Sequence, residues 1–205
     1  MKIKQLLTII TLLFSAPISV MASEYLIDTE GAHAAIEFRI QHLGYSWLLG
    51  QFKDFSGTFN YDEKNPAAAT FKVTINTASI DSNHAERDKH LREENYLDTD
   101  KYPQATFISS SYTPQAEGRA ILKGKLTLHG VTREISIAVA EVGAGMDPWG
   151  GYRRGFTGET TLVLADFGID EKEKLGPAAK KVKLFLFIEG IRQLSADERN
   201  WRLNL

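Results

Sequence analysis

No cysteine occurs in the 205 residues. Disulfide cross-links, thiol nucleophiles and thiolate metal sites are therefore excluded, and any fold must be held by packing alone. Runs of apolar residues are short as well. The longest, Leu6 to Phe14, falls well below the roughly twenty residues that a bilayer-spanning helix needs. Charge of one sign is also missing. Lys and Arg number 24 against 26 Asp and Glu, a net charge of −2, and no basic stripe exists that could neutralise a phosphate backbone, so nucleic acid is not an expected partner. The motifs of covalent and phosphate chemistry are absent too. The chain has no Gly-x-Ser-x-Gly elbow and no Ser-x-x-Lys pair, and its Gly143–Gly145 stretch lacks the strand-to-helix context of a phosphate loop.

The N-terminus has the form of an export signal. The cationic "MKIK" precedes the apolar Leu6–Phe14 run, and Val20 and Ala22 stand at the small-residue positions of a cleavage site. The expected arrangement is a cleaved signal peptide over 1–22, one domain over 23–193 and a polar tail over 194–205, with periplasmic localisation. Loss of Lys2 and Lys4 leaves the mature chain slightly more acidic.

Period-two alternation runs through the remainder. Ile36, Phe38 and Ile40 share one face against Glu37, Arg39 and Gln41; Phe71, Val73 and Ile75 oppose Lys72, Thr74 and Asn76; Leu122, Leu126 and Leu128 oppose Lys123, Lys125 and Thr127. About eight such segments, separated by Gly, Asn-Pro and Asp turns, predict an all-β domain of antiparallel strands. Closure into a barrel would remove exposed edges, and a two-sheet sandwich fits the pattern almost as well. "KLFLFI" departs from the alternation, with Leu184, Leu186 and Ile188 on one face and Phe185 and Phe187 on the other. Either a helix covers its second face, or barrel interior and flank are both apolar.

One block is unlike its surroundings. "HAERDKHLREENYLDTDKYP", His84 to Pro103, is dense in charge and predicts a helical segment over about 83–97. Asp81, Ser82 and Asn83 are its expected capping residues and Glu86 suits its first turn. His84 and His90 are six apart and face different directions on a helix, which argues against a metal site. Solvated charges and surface ion pairs are the simpler reading. An acid–base pair such as Asp88 with His90 stays open, because sequence does not reveal proximity in the fold.

The same block resembles the signature of the YceI family, exported lipocalin-like proteins that bind polyisoprenoids. The resemblance continues in "FRIQHLGYSWLLGQFKDFSGTF", "LTLHGVTREI", "DPWGGYRRGF" and "LGPAAKKVKLFLFIEG", and spans about residues 24–193. It implies a lipocalin-like, eight-stranded antiparallel β-barrel with a helical segment. It also implies a non-enzymatic role: a carrier for long isoprenoid lipids, such as an isoprenoid quinone or polyprenyl phosphate. The implied partners are this amphiphilic lipid and an inner-membrane quinone-linked protein; no cofactor is implied beyond the bound lipid. A sink that sequesters amphiphiles under stress and a lipid-modifying enzyme are the alternatives. From the alternating faces, the expected lining is Phe38, Ile40, Phe59, Val73, Leu126, Phe156 and Leu186, with His42, Arg87, Trp149 or Arg153 meeting a head group near a mouth.

Overall fold

The computed structural model describes residues 22–169 and 177–195. The expected signal peptide, apart from Ala22, and most of the expected tail lie outside the described residues. Eleven strand segments follow in chain order: β1 (Ser23–Ile27), β2 (Ala35–His42), β3 (Ser46–Phe52), β4 (Phe55–Tyr61), β5 (Thr70–Asn76), β6 (Ile80–Asp81), β7 (Gln104–Pro114), β8 (Arg119–Leu128), β9 (Val131–Met146), β10 (Tyr152–Val163) and β11 (Lys181–Arg192).

All pairings are antiparallel, and the register makes eight staves of these eleven segments. β1 and β2 lie end to end along β11, with Ile27 opposite Gly190 and Ala35 opposite Phe187. β4 and β3 continue one another beside them, and β5 is extended by β6 in the same way. The β1–β11 pairing closes the sheet into a barrel. Closure decides between barrel and sandwich, since it satisfies the backbone donors and acceptors that a free edge would leave unpaired.

Every expected inward face is inward. Ile36 and Phe38, Phe71, and Leu122, Leu126 and Leu128 are buried, while Val73 and Ile75 pack partly buried against them. β11 settles the question raised by "KLFLFI". Leu184, Leu186 and Ile188 pack against the core, whereas Phe185 and Phe187 lie on the outside. Among the described residues, no helix covers that outer face. Instead the guanidinium of Arg39 lies 5.1 Å from the Phe185 ring and the Lys183 ammonium 4.9 Å from it, so cations shield the flank.

The barrel has two unlike halves. At the end where β1 begins and β4 and β7 finish, six aromatic rings converge. Phe59, fully buried, stacks on Tyr25 at 4.7 Å and Phe71 at 5.4 Å, with Phe156 edge-on at 5.5 Å. Tyr61 and Tyr112 complete the group. Gly190 makes room for it: a Cβ there would stand 2.4 Å from the Phe59 ring, too close for any side chain. Below the rings, Arg154 is only 3% exposed, bonded to Glu63 and Glu141 and lying 4.3 Å from the Tyr61 ring. These groups plug the barrel at this end.

At the other end lies the single α-helix among the described residues, α1 (Ala85–Arg92). It is shorter than the 83–97 segment, the remainder being turn up to Asp98, whose φ is 46°. Its cap also differs from expectation. His84 Nδ1 accepts from the Arg87 amide at 3.2 Å, satisfying a first-turn donor. Asp81 is engaged by the Asn83 amide, and Ser82 by Asp88. Acidic residues in the first turn and basic ones in the last suit the helix dipole.

The charged block is not a solvated face throughout. Asp88 is buried and accepts from both the amide and the hydroxyl of Ser82. Arg87 donates through Nε to the Ser82 hydroxyl, and Arg92 reaches the carbonyls of Ala78 and Ile80 at 2.7 and 2.8 Å. Three sequence-local charges therefore tie α1 to the chain just before it.

Candidate functional site

The half of the barrel beneath α1 is hollow. Its cavity measures about 370 Å³, toward the lower end of the range of small-molecule pockets. Strand residues form the wall: Ile36, Phe38 and Ile40 from β2, Leu48 and Phe52 from β3, Ile75, Ile80, Leu126 and Leu128 from the next staves, and Leu162, Val182 and Leu184 from β10 and β11. Leu91 of α1 and Leu97 of the turn that follows it contribute to the roof. The wall is overwhelmingly aliphatic, in contrast to the aromatic plug. Phe38 lines one side of the wall. Its ring lies over Gly50, where a Cβ would come within 2.3 Å, so glycine lets this ring lie flat against the wall.

Among the described residues, polar groups enter only from the roof. Ser82, His84, Glu86, Arg87 and His90 border the cavity. His84, Glu86 and His90 are also exposed, so the cavity meets solvent beside α1. The Ser82 hydroxyl is fully engaged, donating to Asp88 and accepting from Arg87, which leaves it poorly placed to act as a nucleophile. Asp88 is turned into that network, and residues two apart on a helix, as Asp88 and His90 are on α1, do not face each other.

The expected lining residues divide between the two halves. Phe38, Ile40 and Leu126 border the cavity. Phe59 and Phe156 lie in the plug. Val73 and Leu186 pack partly buried against the core without bordering the cavity. His42 is half-buried at the end of β2, beyond the cavity wall. Of the residues considered for a head group, Arg87 borders the cavity, whereas Arg153 and Trp149 sit at the plugged end. Sequence reasoning missed Leu48, Phe52, Leu162 and the α1 residues other than Arg87. β3 carries no clean alternation, its "SWLLGQF" being apolar on both faces, and the approach of α1 over the barrel end is a tertiary event.

Two polar clusters lie away from the cavity. Asp28, His33 and Glu189 could in principle hold a metal ion. Here the Arg153 guanidinium bonds Asp28 and Glu189, each at 2.6 Å, and reaches Asp147 at 2.7 Å. It already supplies the positive charge that a cation would bring. The Arg153 bond and the His33 contact hold the Asp28 carboxyl down at about 2. Within the plug, burial pushes Tyr112 up to about 12, with Tyr61 and Glu141 adding to the effect. Burial opposes the charge on Arg154, but Tyr25, Glu141 and Glu63 together keep it protonated. Both clusters read as structural.

Comparison with known proteins agrees with this architecture. A UPF0312 protein of Shewanella putrefaciens is 53% identical over 191 residues, covering 93% of this chain and 99% of its own. One from Shewanella oneidensis is 53% identical over 178 residues, covering 87% and 92%. Among solved structures, Burkholderia cenocepacia BcnA superposes with a TM-score of 0.72 at 22% identity, covering 80% of this chain and 98% of that one. A Saccharophagus degradans domain, described as polyisoprenoid-binding and implicated in plant cell wall breakdown, has a TM-score of 0.60 at 15% identity, covering 84% and 99%. At these identities the two structures establish the shared fold alone. The YceI-like domain model matches residues 25–189, nearly the whole barrel, and the chain belongs to the YceI-like family.

Proposed function

We propose that this protein binds and carries long-chain isoprenoid lipids, such as an isoprenoid quinone or a polyprenyl phosphate, with the apolar chain in the hollow half of the barrel. The observation that carries this reading is the contrast in the cavity lining: aliphatic walls of about 370 Å³ beneath a roof that alone supplies polar groups. An amphiphile matches that division. Each methylene removed from water contributes about 0.8 kcal/mol, offset in part by ordering the chain. Among the described residues, the wall offers no polar partner to select one chain from another, so length and apolarity are the expected criteria. The head group would rest at the roof, where Arg87 and His90 border the cavity.

Family membership and the likeness to a domain described as polyisoprenoid-binding support this reading. The signal-like N-terminus supports a periplasmic setting, in which the protein would exchange lipid with a membrane or an inner-membrane quinone-linked protein. The engaged Ser82 hydroxyl favours binding over catalysis.

Purification from the native periplasm, organic extraction and mass spectrometry provide the test. A co-purifying prenyl lipid in near-stoichiometric amount is expected. Protein that is consistently empty, and that takes up no quinone or polyprenyl phosphate when offered either, would overturn the reading.

A further inference from the structure

The hairpin joining β2 to β3 has a composition that folding does not ask for. Leu43 and Gly44 form its tip with φ values of 53° and 82°, and the Tyr45 amide closes the turn on the His42 carbonyl at 2.9 Å. Both central residues are thus in the left-handed region, where Asn-Gly is the favoured pair. A leucine there adopts an unfavourable backbone conformation and still leaves 45% of its surface exposed. Tyr45 is 87% exposed, and Trp47 and Leu49 point outward from β3 at 49% and 65%. Leu43 and Tyr45 therefore project at the tip itself, with Trp47 and Leu49 following on the outer face of β3 behind it, and such outliers cluster at functional sites.

The position of the tip gives this composition a use. Ile40 and Leu48 face each other across the β2–β3 pair and both line the cavity; the tip begins two residue pairs beyond them. β3 alternates its allegiance, with Leu48 inside and Trp47 and Leu49 outside. The hairpin stands at the α1 end of the barrel, where the cavity meets solvent. Arg39 adds charge to the flank. Its guanidinium lies 4.5 Å from the Trp47 ring, and among the described residues it makes no ion pair. Tryptophan, tyrosine and a cation beside aliphatic side chains are the composition that seats a protein at the level of lipid head groups.

We propose that the β2–β3 hairpin tip docks onto an anionic phospholipid bilayer, bringing the cavity entrance to the membrane surface. Leu43 enters the acyl boundary, Tyr45 and Trp47 take the interface, and Arg39, level with Leu49 behind them, faces lipid phosphate. The proposal rests on the lipid-carrier reading for its purpose. Val142, Met146 and Trp149 are also exposed, but they lie at the plugged end, where no apolar cavity opens.

Vesicle flotation tests this with the whole protein and vesicles of phosphatidylethanolamine and phosphatidylglycerol. The informative variant is Leu43→Asn/Tyr45→Ser. Asparagine suits the left-handed turn, so the variant should melt no lower than wild type while its vesicle binding falls roughly tenfold or more. Trp47 emission, read in a Trp149→Phe/Trp201→Phe background, should shift to the blue on adding vesicles. Met146→Ser/Trp149→Ser should leave binding unchanged. Failure of the wild type to float, binding that the hairpin variant retains, or a homodimer in the ultracentrifuge that the variant dissolves would each overturn the proposal. Lipid extraction keeps the two claims separate. A protein that holds a prenyl lipid yet ignores vesicles defeats only the docking, whereas an empty protein defeats the carrier reading.

Discussion

Phe59→Ala offers a sharp test of the division between plug and cavity. The ring is fully buried, stacked between Tyr25 and Phe71, met edge-on by Phe156, and backed by Gly190. Removing it leaves a void of roughly 100 Å³ that tightly packed neighbours cannot fill, which at about 24 cal/mol per Å³ costs about 2 kcal/mol. Lost transfer free energy adds about 2 kcal/mol, giving a total of about 4 kcal/mol before any loss of aromatic pair geometry. For a domain of this size, 1 kcal/mol corresponds to about 2–4 °C in Tm, so the expected fall is about 8–16 °C by circular dichroism. The retained lipid should change little in material purified well below the new Tm, because the cavity lies in the other half. A loss under about 1.5 kcal/mol would mean that the rings are not packed as described. Full stability with lost lipid would mean that the ligand reaches the plug.

Leu126→Trp tests the hollow half. The larger side chain has about 370 Å³ to enter, so overpacking strain should be small, Tm should hold or rise, and extracted lipid should fall. Gly190→Ala should destabilise by about 1–3 kcal/mol in a urea titration, because the new Cβ meets a Phe59 ring that cannot retreat. Asp88→Ala should cost about 2–4 kcal/mol, leaving the Ser82 amide without its buried acceptor; amide exchange should quicken first in α1. Acid stability should follow Asp28. Its carboxyl sits at about 2 in the fold against an ordinary 3.8, so the folded state favours the ionised form. The resulting contribution of about 2 kcal/mol is complete above about pH 5 and is lost as pH falls through about 2. Urea midpoints measured between pH 6 and pH 2 check this, and Arg153→Leu, which removes the principal partner, should flatten that part of the profile.

The strands were legible because a half-buried sheet requires alternation. Phe38, Ile40 and Leu126 follow from it directly, as does the outward placement of Phe185 once its face is known. The helical block was visible from its charge density, but its connections were not. Asp88 is six residues from Ser82 in the chain, a spacing with no regular structural meaning until Asn83 turns the backbone through a φ of 61°. The hairpin tip was hidden in a similar way, since Leu43-Gly44 carries none of the usual polar turn chemistry.

By itself, the sequence determined which side chains share a face on most strands, because a pleated strand sends alternate residues to opposite sides whatever its neighbours are. It also carried the family signature, in several separate blocks along the chain. Only the tertiary structure decided what the interior holds. Phe59, Phe71, Tyr112 and Phe156 come from β4, β5, β7 and β10 and meet at one level because the stagger of the staves brings them there. Leu48, Leu126 and Leu162, equally inward, arrive at another level and leave space between them. Alternation sets the direction of a side chain but not its height along the barrel, and height is what separates a plug from a cavity.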